Sequence, residues 1–214
     1  MPFLGPPIDK VPRAMIFDIG RVIIRVDLSR SIGKLGKRDV SADSHLQVLR
    51  ELEADPRWPD WQEGRMTARQ WHAHLAQRYQ FSNEFDEFCA TWNSVLEPGT
   101  ILPDALFDRL SESCRLALLS NTDPIHVAHM EATFPFVHHF PVRIYSCRVG
   151  VSKPSPAIFH RALRELGALP EEVMFVDDVS DNVSAAARLG IKAFHFISAD
   201  EFLDQLRPLG ITLG

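Results

Sequence analysis

Short apolar runs rich in β-branched residues alternate with longer amphipathic segments along most of this chain. The short runs predict buried β-strands, and segments with apolar positions three and four residues apart predict helices. The predicted strands lie at residues 13–18, 115–119, 142–145, 172–176 and 191–196. The helices predicted beside them lie at residues 103–113, 123–133, 156–166, 182–189 and 199–206. This alternation predicts an α/β fold with a doubly wound, parallel, Rossmann-like sheet and right-handed crossovers.

The pattern changes between residues 28 and 97, where no buried strand is evident. Helices are predicted there at residues 44–54, 67–79 and 82–95. The same region holds all four tryptophans of the chain, Trp58, Trp61, Trp71 and Trp92. Grouped aromatic side chains are typical of the apolar core of a small helical bundle. We therefore predict a small helical cap, residues 28–97, inserted after the first strand of a core that is formed by residues 1–27 and 98–214.

Two smaller features flank the first predicted strand. Residues 1–12 are rich in proline and are expected to form an extended, partly mobile arm. Residues 22–26 are apolar and too few for a helix, so they predict a small hairpin-like flap beside Asp18.

The composition excludes several classes of function. A net charge of −5 argues against a nucleic-acid binder, because no basic excess is available to neutralise a phosphate backbone. No apolar run is long enough to span a bilayer, and the first residues lack the pattern of a secretory signal, so we expect a cytoplasmic protein without a membrane partner. The three scattered cysteines and the spacing of the histidines indicate neither a disulfide framework nor a zinc site.

Polar residues follow four of the predicted strands or lie in the loops after them. These are Asp18, Ser120-Asn121-Thr122, Lys153, and Asp177-Asp178 with Asp181 and Asn182. Because the carboxyl ends of parallel strands lie at one edge of a sheet, residues far apart in the sequence are expected to converge there. The sequence therefore predicts a ligand site at this edge.

The residue types at this edge suit phosphoryl transfer. A carboxylate such as Asp18 can attack phosphorus, which divides one difficult displacement into two easier ones. The attack needs a cation, and Mg²⁺ held by Asp18 and Asp178 would supply it. Lys153 would add a point charge for the phosphoryl oxygens, and the Ser120 hydroxyl with the amides of Asn121 and Thr122 would donate hydrogen bonds to them.

The motifs around these residues resemble those of a known family. They are Asp18-Ile-Gly-Arg-Val, Leu119-Ser-Asn-Thr, Val151-Ser-Lys-Pro-Ser-Pro-Ala-Ile-Phe, and Val176-Asp-Asp-Val-Ser-Asp-Asn-Val-Ser-Ala-Ala. In order and spacing they look like the four motifs of the haloacid dehalogenase superfamily, with a helical cap between the first and second. The pattern is most similar to the bacterial phosphatase group that includes α-D-glucose-1-phosphate phosphatase.

The resemblance assigns roles to the converging residues. It implies that Asp18 is the nucleophile and a metal ligand, and that Ser120 and Lys153 hold the phosphoryl group with Asn121 beside them. It implies that Asp178 binds Mg²⁺, with Asp177 supporting it directly or through water. The backbone carbonyl of residue 20 is expected to complete the metal site.

Gly20 departs from the usual pattern of phosphatases in this superfamily, most of which have a second aspartate there. That aspartate protonates the leaving oxygen and then activates water, so glycine keeps the carbonyl and loses the acid and base. Candidate substitutes are Asp27, Glu63 and metal-associated water. Arg21 either contributes charge near the phosphate or, as we favour, pairs with an acid on the surface.

We therefore predict a Mg²⁺-dependent phosphatase that hydrolyses a small phosphorylated metabolite through an aspartyl-phosphate intermediate. A sugar phosphate is one candidate substrate, on the resemblance alone. Cap residues are expected to select the substrate, namely Trp58, Trp61, Glu63, Arg65 and Trp71. The chain is expected to be a monomer or a homodimer.

The sequence also allows three other hypotheses about the function. A non-catalytic module that binds a phosphorylated ligand or a protein is favoured by Gly20 and disfavoured by the retention of Asp18, Ser120, Lys153 and Asp178. A 2-haloacid dehalogenase is disfavoured by the Asp177-Asp178 pair, which enzymes of that kind lack. Mutase activity is disfavoured because it normally relies on the residue that Gly20 replaces.

Overall fold

A six-stranded sheet forms the centre of the molecule, with the strand order β1-β6-β5-β2-β3-β4. The computed structural model describes residues 3–4, 10–30 and 50–212. The strands are β1 (Phe3–Leu4), β2 (Ala14–Phe17), β3 (Arg115–Ser120), β4 (Val142–Tyr145), β5 (Val173–Asp177) and β6 (Lys192–His195). Strands β2 to β6 all run parallel to one another, and β1 is antiparallel to β6. The predicted parallel, Rossmann-like sheet is confirmed, and part of the predicted N-terminal arm is an edge strand.

Helices cover both faces of the sheet. The first three, α1 (Trp58–Gln62), α2 (Ala68–Tyr79) and α3 (Phe85–Asn93), precede β3. The others are α4 (Asp104–Ser111), α5 (Pro124–Thr133), α6 (Ser146–Val149), α7 (Pro156–Leu166), α8 (Ser180–Arg188) and α9 (Ala199–Leu206). In the described part of the chain, no helix has both the length and the apolar character needed to cross a lipid bilayer.

Strand β2 shows why both faces are covered. Its side chains alternate between two hydrophobic clusters, with Met15 and Phe17 in one and Ala14 and Ile16 in the other, and all four residues are fully buried. Phe17 makes edge-on contacts with three further phenylalanines, Phe107, Phe140 and Phe202, at ring-centroid distances of 5.7, 5.9 and 5.9 Å. A central parallel strand that is apolar on both sides requires helices on both sides.

Residues 50–96, called here the helical segment, have an apolar cluster of their own. Trp61 and Trp71 are fully buried and stack at 5.5 Å, and Phe88 and Trp92 pack in the same cluster. Residues 50–53 are helical, and the rest of the helix predicted at 44–54 lies outside the described residues. The division of the chain at residues 28–97 stays a prediction.

The two connections between the helical segment and the core run side by side. Val26 and Leu96 form an antiparallel bridge, and the backbone amide of Glu97 donates a 3.0 Å hydrogen bond to the carbonyl of Arg25. The residues before this bridge do not form the predicted flap. They make a tight turn closed by a 2.7 Å hydrogen bond from the Arg21 amide to the Ile24 carbonyl, and Val22, Ile23 and Ile24 are fully buried.

The helical segment is docked against the core at the end of β4. The buried Ser146 hydroxyl donates a 2.7 Å hydrogen bond to the carbonyl of Gln62 and accepts one of 2.9 Å from the amide of Thr122. Beside it, a Cβ atom added at Gly64 would lie 2.0 Å from the carbonyl oxygen of Cys147. Only glycine allows the two backbones to approach this closely.

Gly64→Ala is expected to destabilise the protein more than Gly99→Ala. Both glycines have positive φ, 70° and 85°, but the space around Gly99 is open. The control change therefore costs only the left-handed strain of about 1–2 kcal/mol. The overlap at Gly64 adds about 1–3 kcal/mol. Thermal unfolding measures the difference, and equal losses of stability in the two variants would show that residue 64 has room for a side chain.

Candidate functional site

Asp18 lies directly after β2, at the edge where the parallel strands end. Its backbone amide donates a 2.9 Å hydrogen bond to the carbonyl of Val176, which holds it beside the end of β5. Asp18 is 8% exposed and borders a cavity. The strand pairing thus brings the first predicted motif next to the fourth, although about 160 residues separate them in the sequence.

Lys153 connects the acids of this edge. Its ammonium group donates hydrogen bonds to Asp18 Oδ1 at 2.8 Å, to Asp177 Oδ2 at 2.6 Å and to the carbonyl of Leu119 at 2.8 Å. The Lys153 side chain is 1% exposed, so all three donors have partners in a buried position.

Asn121 holds the backbone of Lys153. Its amide nitrogen donates to the Lys153 carbonyl at 2.8 Å, and its oxygen accepts from the Lys153 amide at 2.8 Å. Both ends of the side chain are therefore used in positioning Lys153. The amide of Thr122, expected as a donor to phosphate, instead donates to Ser146 as described above. The Ser120 side chain borders the cavity, as the sequence predicts.

Asp177 and Asp178 follow β5 but have different surroundings. Asp177 Oδ1 accepts a 2.8 Å hydrogen bond from the amide of Val179, and the Asn182 amide lies 3.1 and 3.2 Å from its two oxygens. With Lys153 as a further partner, both Asp177 oxygens are occupied. Asp178 instead faces the cavity and pairs with Arg21.

The pairing of Arg21 agrees only in part with each of the two interpretations drawn from the sequence, charge near the phosphate and pairing with a surface acid. Arg21 does pair with an acid, but that acid is Asp178 of the site, at 2.8 Å from Nε, and not a surface residue. Arg21 has a φ of 60°, which is uncommon for a residue with a side chain. Left-handed residues of this kind are frequent at functional sites. The guanidinium group is largely exposed and borders the cavity.

Burial and mutual repulsion shift the pKa values of these groups. The pKa of Asp18 is raised to about 6, because burial and the charges of Asp177 and Asp178 together outweigh the opposing effect of Lys153. Burial also raises the pKa of Asp178, with Arg21 opposing. For Lys153, burial acts to lower the pKa, but the charges of Asp177 and Asp18 outweigh it and the pKa is raised. The lysine is therefore charged, and the acids repel one another.

The acids form a donor set that fits a hard divalent cation. Asp18, Asp177 and Asp178 each offer an oxygen atom, and these atoms lie within 4.8 Å of one another. Carboxylate oxygens are the ligands that Mg²⁺ prefers, and a cation there would relieve the repulsion that raises the Asp18 pKa. Because both Asp177 oxygens are already occupied, Asp18 and Asp178 are the better placed ligands.

The cavity beside Asp18 has a volume of about 310 Å³. Its polar end is formed by residues of the predicted motifs, Asp18, Gly20, Ser120, Lys153 and Asp178. The helical segment forms much of the remaining wall and contributes Glu53, Trp58 and Gln62. The cavity is large enough for a small ligand and combines an apolar lining with a cluster of charged and polar groups at the motif residues.

Most of the cap residues predicted to select the substrate lie away from the cavity. Trp58 borders it, whereas Trp61 and Trp71 are fully buried in the apolar cluster. Glu63 forms an ion pair with Arg65, and neither residue is among those described along the cavity wall.

The sequence did not indicate the roles of Glu53 and His126. Glu53 lies in a predicted helix with nothing to distinguish it from other surface acids. His126 follows the predicted cap Asp123 by three residues, and that spacing was the available signal. The structure places both along the cavity.

His126 belongs to a buried junction between α3 and α5. Its Nδ1 lies 2.9 Å from Asp123 Oδ2, and its Nε2 lies 3.1 Å from the carbonyl of Trp92. The indole N–H of Trp92 donates to the same Asp123 oxygen at 3.0 Å. Burial alone would lower the pKa of His126, but Asp123 and the Trp92 carbonyl outweigh burial and raise the pKa. Two acceptors on one ring indicate the imidazolium form.

Comparison with known proteins identifies relatives over most of the chain, one of which is named as a phosphatase. A D-ribitol-5-phosphate phosphatase of Bacteroides thetaiotaomicron is 24% identical over 84% of this chain and 89% of its own length. Mouse acyl-CoA dehydrogenase family member 10 is 26% identical over 94% of this chain, which spans only 19% of the mouse protein.

Solved structures have the same fold. A HAD family enzyme of Bacteroides thetaiotaomicron, in complex with magnesium and inorganic phosphate, has a TM-score of 0.73 at 25% identity and covers 87% of this chain and 95% of its own. An L-2-haloacid dehalogenase of Xanthobacter autotrophicus has a TM-score of 0.60 at 22% identity over 85% of this chain and 76% of its own, which shows the shared fold alone.

The family assignment rests on most of the chain. The model of the haloacid dehalogenase-like hydrolases matches residues 13–190, which include Asp18, Ser120, Lys153 and Asp178. The resemblance of the four motifs to this superfamily is therefore confirmed, and the likeness to α-D-glucose-1-phosphate phosphatases stays a prediction. The chain belongs to the haloacid dehalogenase-like hydrolases.

Proposed function

We propose that the protein is a Mg²⁺-dependent phosphatase in which Asp18 attacks the phosphorus atom of a small phosphate monoester. The observation that carries the proposal is the buried Lys153 ammonium group, which joins Asp18 and Asp177 at the end of a cavity. The relatives named as a phosphatase and as a complex with magnesium and phosphate support the same chemistry.

The reaction is a double displacement at phosphorus. A carboxylate oxygen of Asp18 forms a bond to phosphorus while the bond to the leaving alcohol oxygen breaks, which gives an aspartyl phosphate. Water then attacks the same phosphorus while the bond between phosphorus and the Asp18 oxygen breaks, so that inorganic phosphate leaves and the Asp18 carboxylate is restored. The proton that the water loses passes to the group that protonated the leaving alcohol. The Ser120 hydroxyl donates a hydrogen bond to the phosphoryl oxygens, and the buried positive charge of Lys153 offsets their negative charge during both steps.

Asp18 and Asp178 would hold Mg²⁺, with the Gly20 carbonyl beside them. The ion would supply positive charge that offsets the repulsion between the Asp18 carboxylate and the phosphoryl oxygens. Asp177 orients Lys153, and Arg21 pairs with Asp178 and borders the cavity, where it can reach an anionic ligand.

The leaving alcohol needs a proton that residue 20 cannot supply. Asp27 and Glu63, proposed from the sequence, are not among the described residues of the cavity wall. Outside the Asp18 cluster, Glu53 is the carboxyl group that the described part of the wall contains. We therefore propose Glu53 as the first candidate for the general acid.

Gly20→Asp is expected to raise the turnover of alkyl phosphates by up to about 10²–10⁴-fold, because it returns a general acid to the leaving oxygen. A Cβ atom at residue 20 would lie 3.4 Å from Val26 Cγ2, an ordinary contact, so the backbone at this position accepts a residue with a Cβ atom. The rate for p-nitrophenyl phosphate should change little, because its leaving group scarcely needs a proton. Gly20→Asn is the matched control, and equal rates in the two variants would contradict the expectation.

Mg²⁺ is expected to raise the melting temperature of the protein by about 5–10 °C at a concentration 100 times its Kd, since such binding adds about 2.7 kcal/mol of stability. Asp178→Asn should remove most of this shift, whereas Asp200→Asn, at an exposed position on α9, should keep it. Thermal unfolding with and without EDTA measures the effect. An equal shift in both variants would place the ion elsewhere.

The function itself is tested by phosphate release from p-nitrophenyl phosphate and a panel of sugar and polyol phosphates, with and without Mg²⁺. Sugar and polyol phosphates are in the panel because one relative is named as a D-ribitol-5-phosphate phosphatase. The helical segment is proposed to cover the bound substrate as a cap.

The same assay distinguishes a phosphatase from a non-catalytic binding module. The absence of an acidic side chain at residue 20 is the observation that favours the binding module. Mg²⁺-dependent release from the aryl ester supports the phosphatase. Mg²⁺ binding without release from any ester would favour the module. A dehalogenase would release halide from 2-haloacids without metal.

A further inference from the structure

We propose that the alcohol part of the substrate is a hydrophobic chain or ring and not a sugar or polyol. The proposal rests on the phosphatase function above and names the substrate class of the same site. It follows from the chemistry of the cavity wall beyond the phosphoryl group.

The wall away from the motifs is mostly apolar in the part that the structure describes, and Glu53 and Gln62 are the polar residues that the helical segment adds to it. The turn after β2 contributes Ile24 and Val26, and the helical segment contributes Leu52, Trp58, Val95 and Leu96. Val26, Trp58 and Leu96 are each half-buried, so their side chains retain surface that a ligand could cover. Covering apolar surface is the favourable term that such a wall offers to a ligand.

The polar groups near this wall are mostly engaged with the protein. Both ring nitrogens of His126 have acceptors, Asp123 and the Trp92 carbonyl. The indole N–H of Trp92 also donates to Asp123, so this residue offers the cavity only its ring. Among the described residues, Glu53 and Gln62 are the polar side chains that the helical segment adds to the wall.

A polyol would be poorly matched to such a wall. Each hydroxyl group that loses water needs a hydrogen-bond partner, and a buried hydroxyl without one is costly. A five-carbon polyol phosphate has four free hydroxyl groups, whereas an alkyl phosphate of the same length has none. The wall therefore discriminates between two esters whose reacting ends are the same.

The test compares kcat/KM of n-alkyl phosphates from ethyl to octyl with that of ribitol 5-phosphate, in the presence of Mg²⁺. All of these are primary phosphate esters, so the chemical step is held nearly constant. We expect kcat/KM to rise roughly three- to fourfold for each methylene group until the cavity is filled. We expect pentyl phosphate to exceed ribitol 5-phosphate, its five-carbon match, by at least about 30-fold.

A variant tests whether the described wall causes this preference. Leu96→Asn keeps the approximate size of the side chain and adds a polar group, and it should lower kcat/KM for octyl phosphate about tenfold, mainly through KM, with little effect on ethyl phosphate. Leu169→Asn, at a position that is 60% exposed and away from the cavity, is the matched control. An equal loss for both esters in Leu96→Asn would indicate general damage and overturn the role of the wall.

Turnover of p-nitrophenyl phosphate distinguishes failure of the proposed substrate class from failure of the proposed phosphatase function. Release from this ester without any chain-length dependence, or with ribitol 5-phosphate as the better substrate, would overturn the hydrophobic substrate class and leave the phosphatase intact. No release from any ester would overturn both.

Discussion

Asp18→Asn is expected to lower Mg²⁺-dependent phosphate release by at least about 10⁴-fold, because it removes the nucleophile and the proposed mechanism has no second nucleophile. The fold should be retained. Lys153 keeps its hydrogen bonds to Asp177 and to the Leu119 carbonyl, and the replaced carboxyl group is one whose pKa burial raises to about 6. Steady-state kinetics with p-nitrophenyl phosphate and thermal unfolding measure the two effects separately.

The control for this change is Asp200→Asn, which replaces an exposed aspartate by the same residue. It should leave the rate within a factor of about two, as surface substitutions usually do. Residual activity of Asp18→Asn within about tenfold of the wild type would contradict the role of Asp18, whatever the stability of the variant.

Lys153→Met is expected to reduce both stability and activity. It leaves the Asp18 and Asp177 carboxylates buried without their shared cation and removes the partner of the Leu119 carbonyl. Breaking a buried ion pair from one side costs about 3–5 kcal/mol, or about 6–20 °C in melting temperature for a chain of this size. Activity should fall at least about 10²-fold, because the charge facing the phosphoryl oxygens is lost.

The loss of stability in Lys153→Met should depend on pH. Lys153 lowers the pKa of Asp18, so its removal moves that pKa further above about 6. A carboxyl group with a higher pKa in the folded than in the unfolded state destabilises the fold above its folded pKa, and the penalty fades as pH falls toward the unfolded value. The difference in melting temperature from the wild type should therefore be larger at pH 8 than at pH 5.

Lys192→Met is the matched control for Lys153→Met. Lys192 is also buried, at 8% exposure, but it begins β6 opposite Met174, far from the strand ends that carry the site. No ion pair of Lys192 is found within the described ranges. Activity should persist in this variant, and a loss as large as that of Lys153→Met would show that burying any lysine, and not this network, explains the effect.

The sheet could be predicted from local sequence patterns, and the convergence of the motifs follows from the sheet. Buried strands are apolar runs, and helices between them have apolar positions three and four residues apart. Once the strands are parallel, the positions of Asp18, Ser120 and Asp178 at one edge follow from topology. No side-chain detail was needed for that part of the site.

The partners of individual side chains could not be predicted in the same way. Arg21 pairs with Asp178 because the chain turns at residue 21 with positive φ. The sequence around residue 21 does not predict this conformation. Asn121 binds the Lys153 backbone because the loop after β3 meets a segment 32 residues later. Both contacts depend on tertiary packing.

The residues that form the cavity wall could not be predicted from the sequence either. Trp58, Trp61 and Trp71 look alike in the pattern, yet only Trp58 borders the cavity, because the other two fill the core of the helical segment. Their distribution depends on how that segment docks at Ser146 and Gly64, where backbone groups meet.

The proposed mechanism requires that phosphate is transferred to Asp18 during turnover. Rapid acid quenching of the Mg²⁺-loaded enzyme with p-nitrophenyl phosphate, followed by borohydride reduction and peptide mass spectrometry, tests it directly, since reduction converts an aspartyl phosphate into homoserine. We expect homoserine at residue 18 in the quenched wild type and none without substrate. Phosphate release with residue 18 unmodified at every quench time, or with the phosphoryl group on another residue, would contradict it.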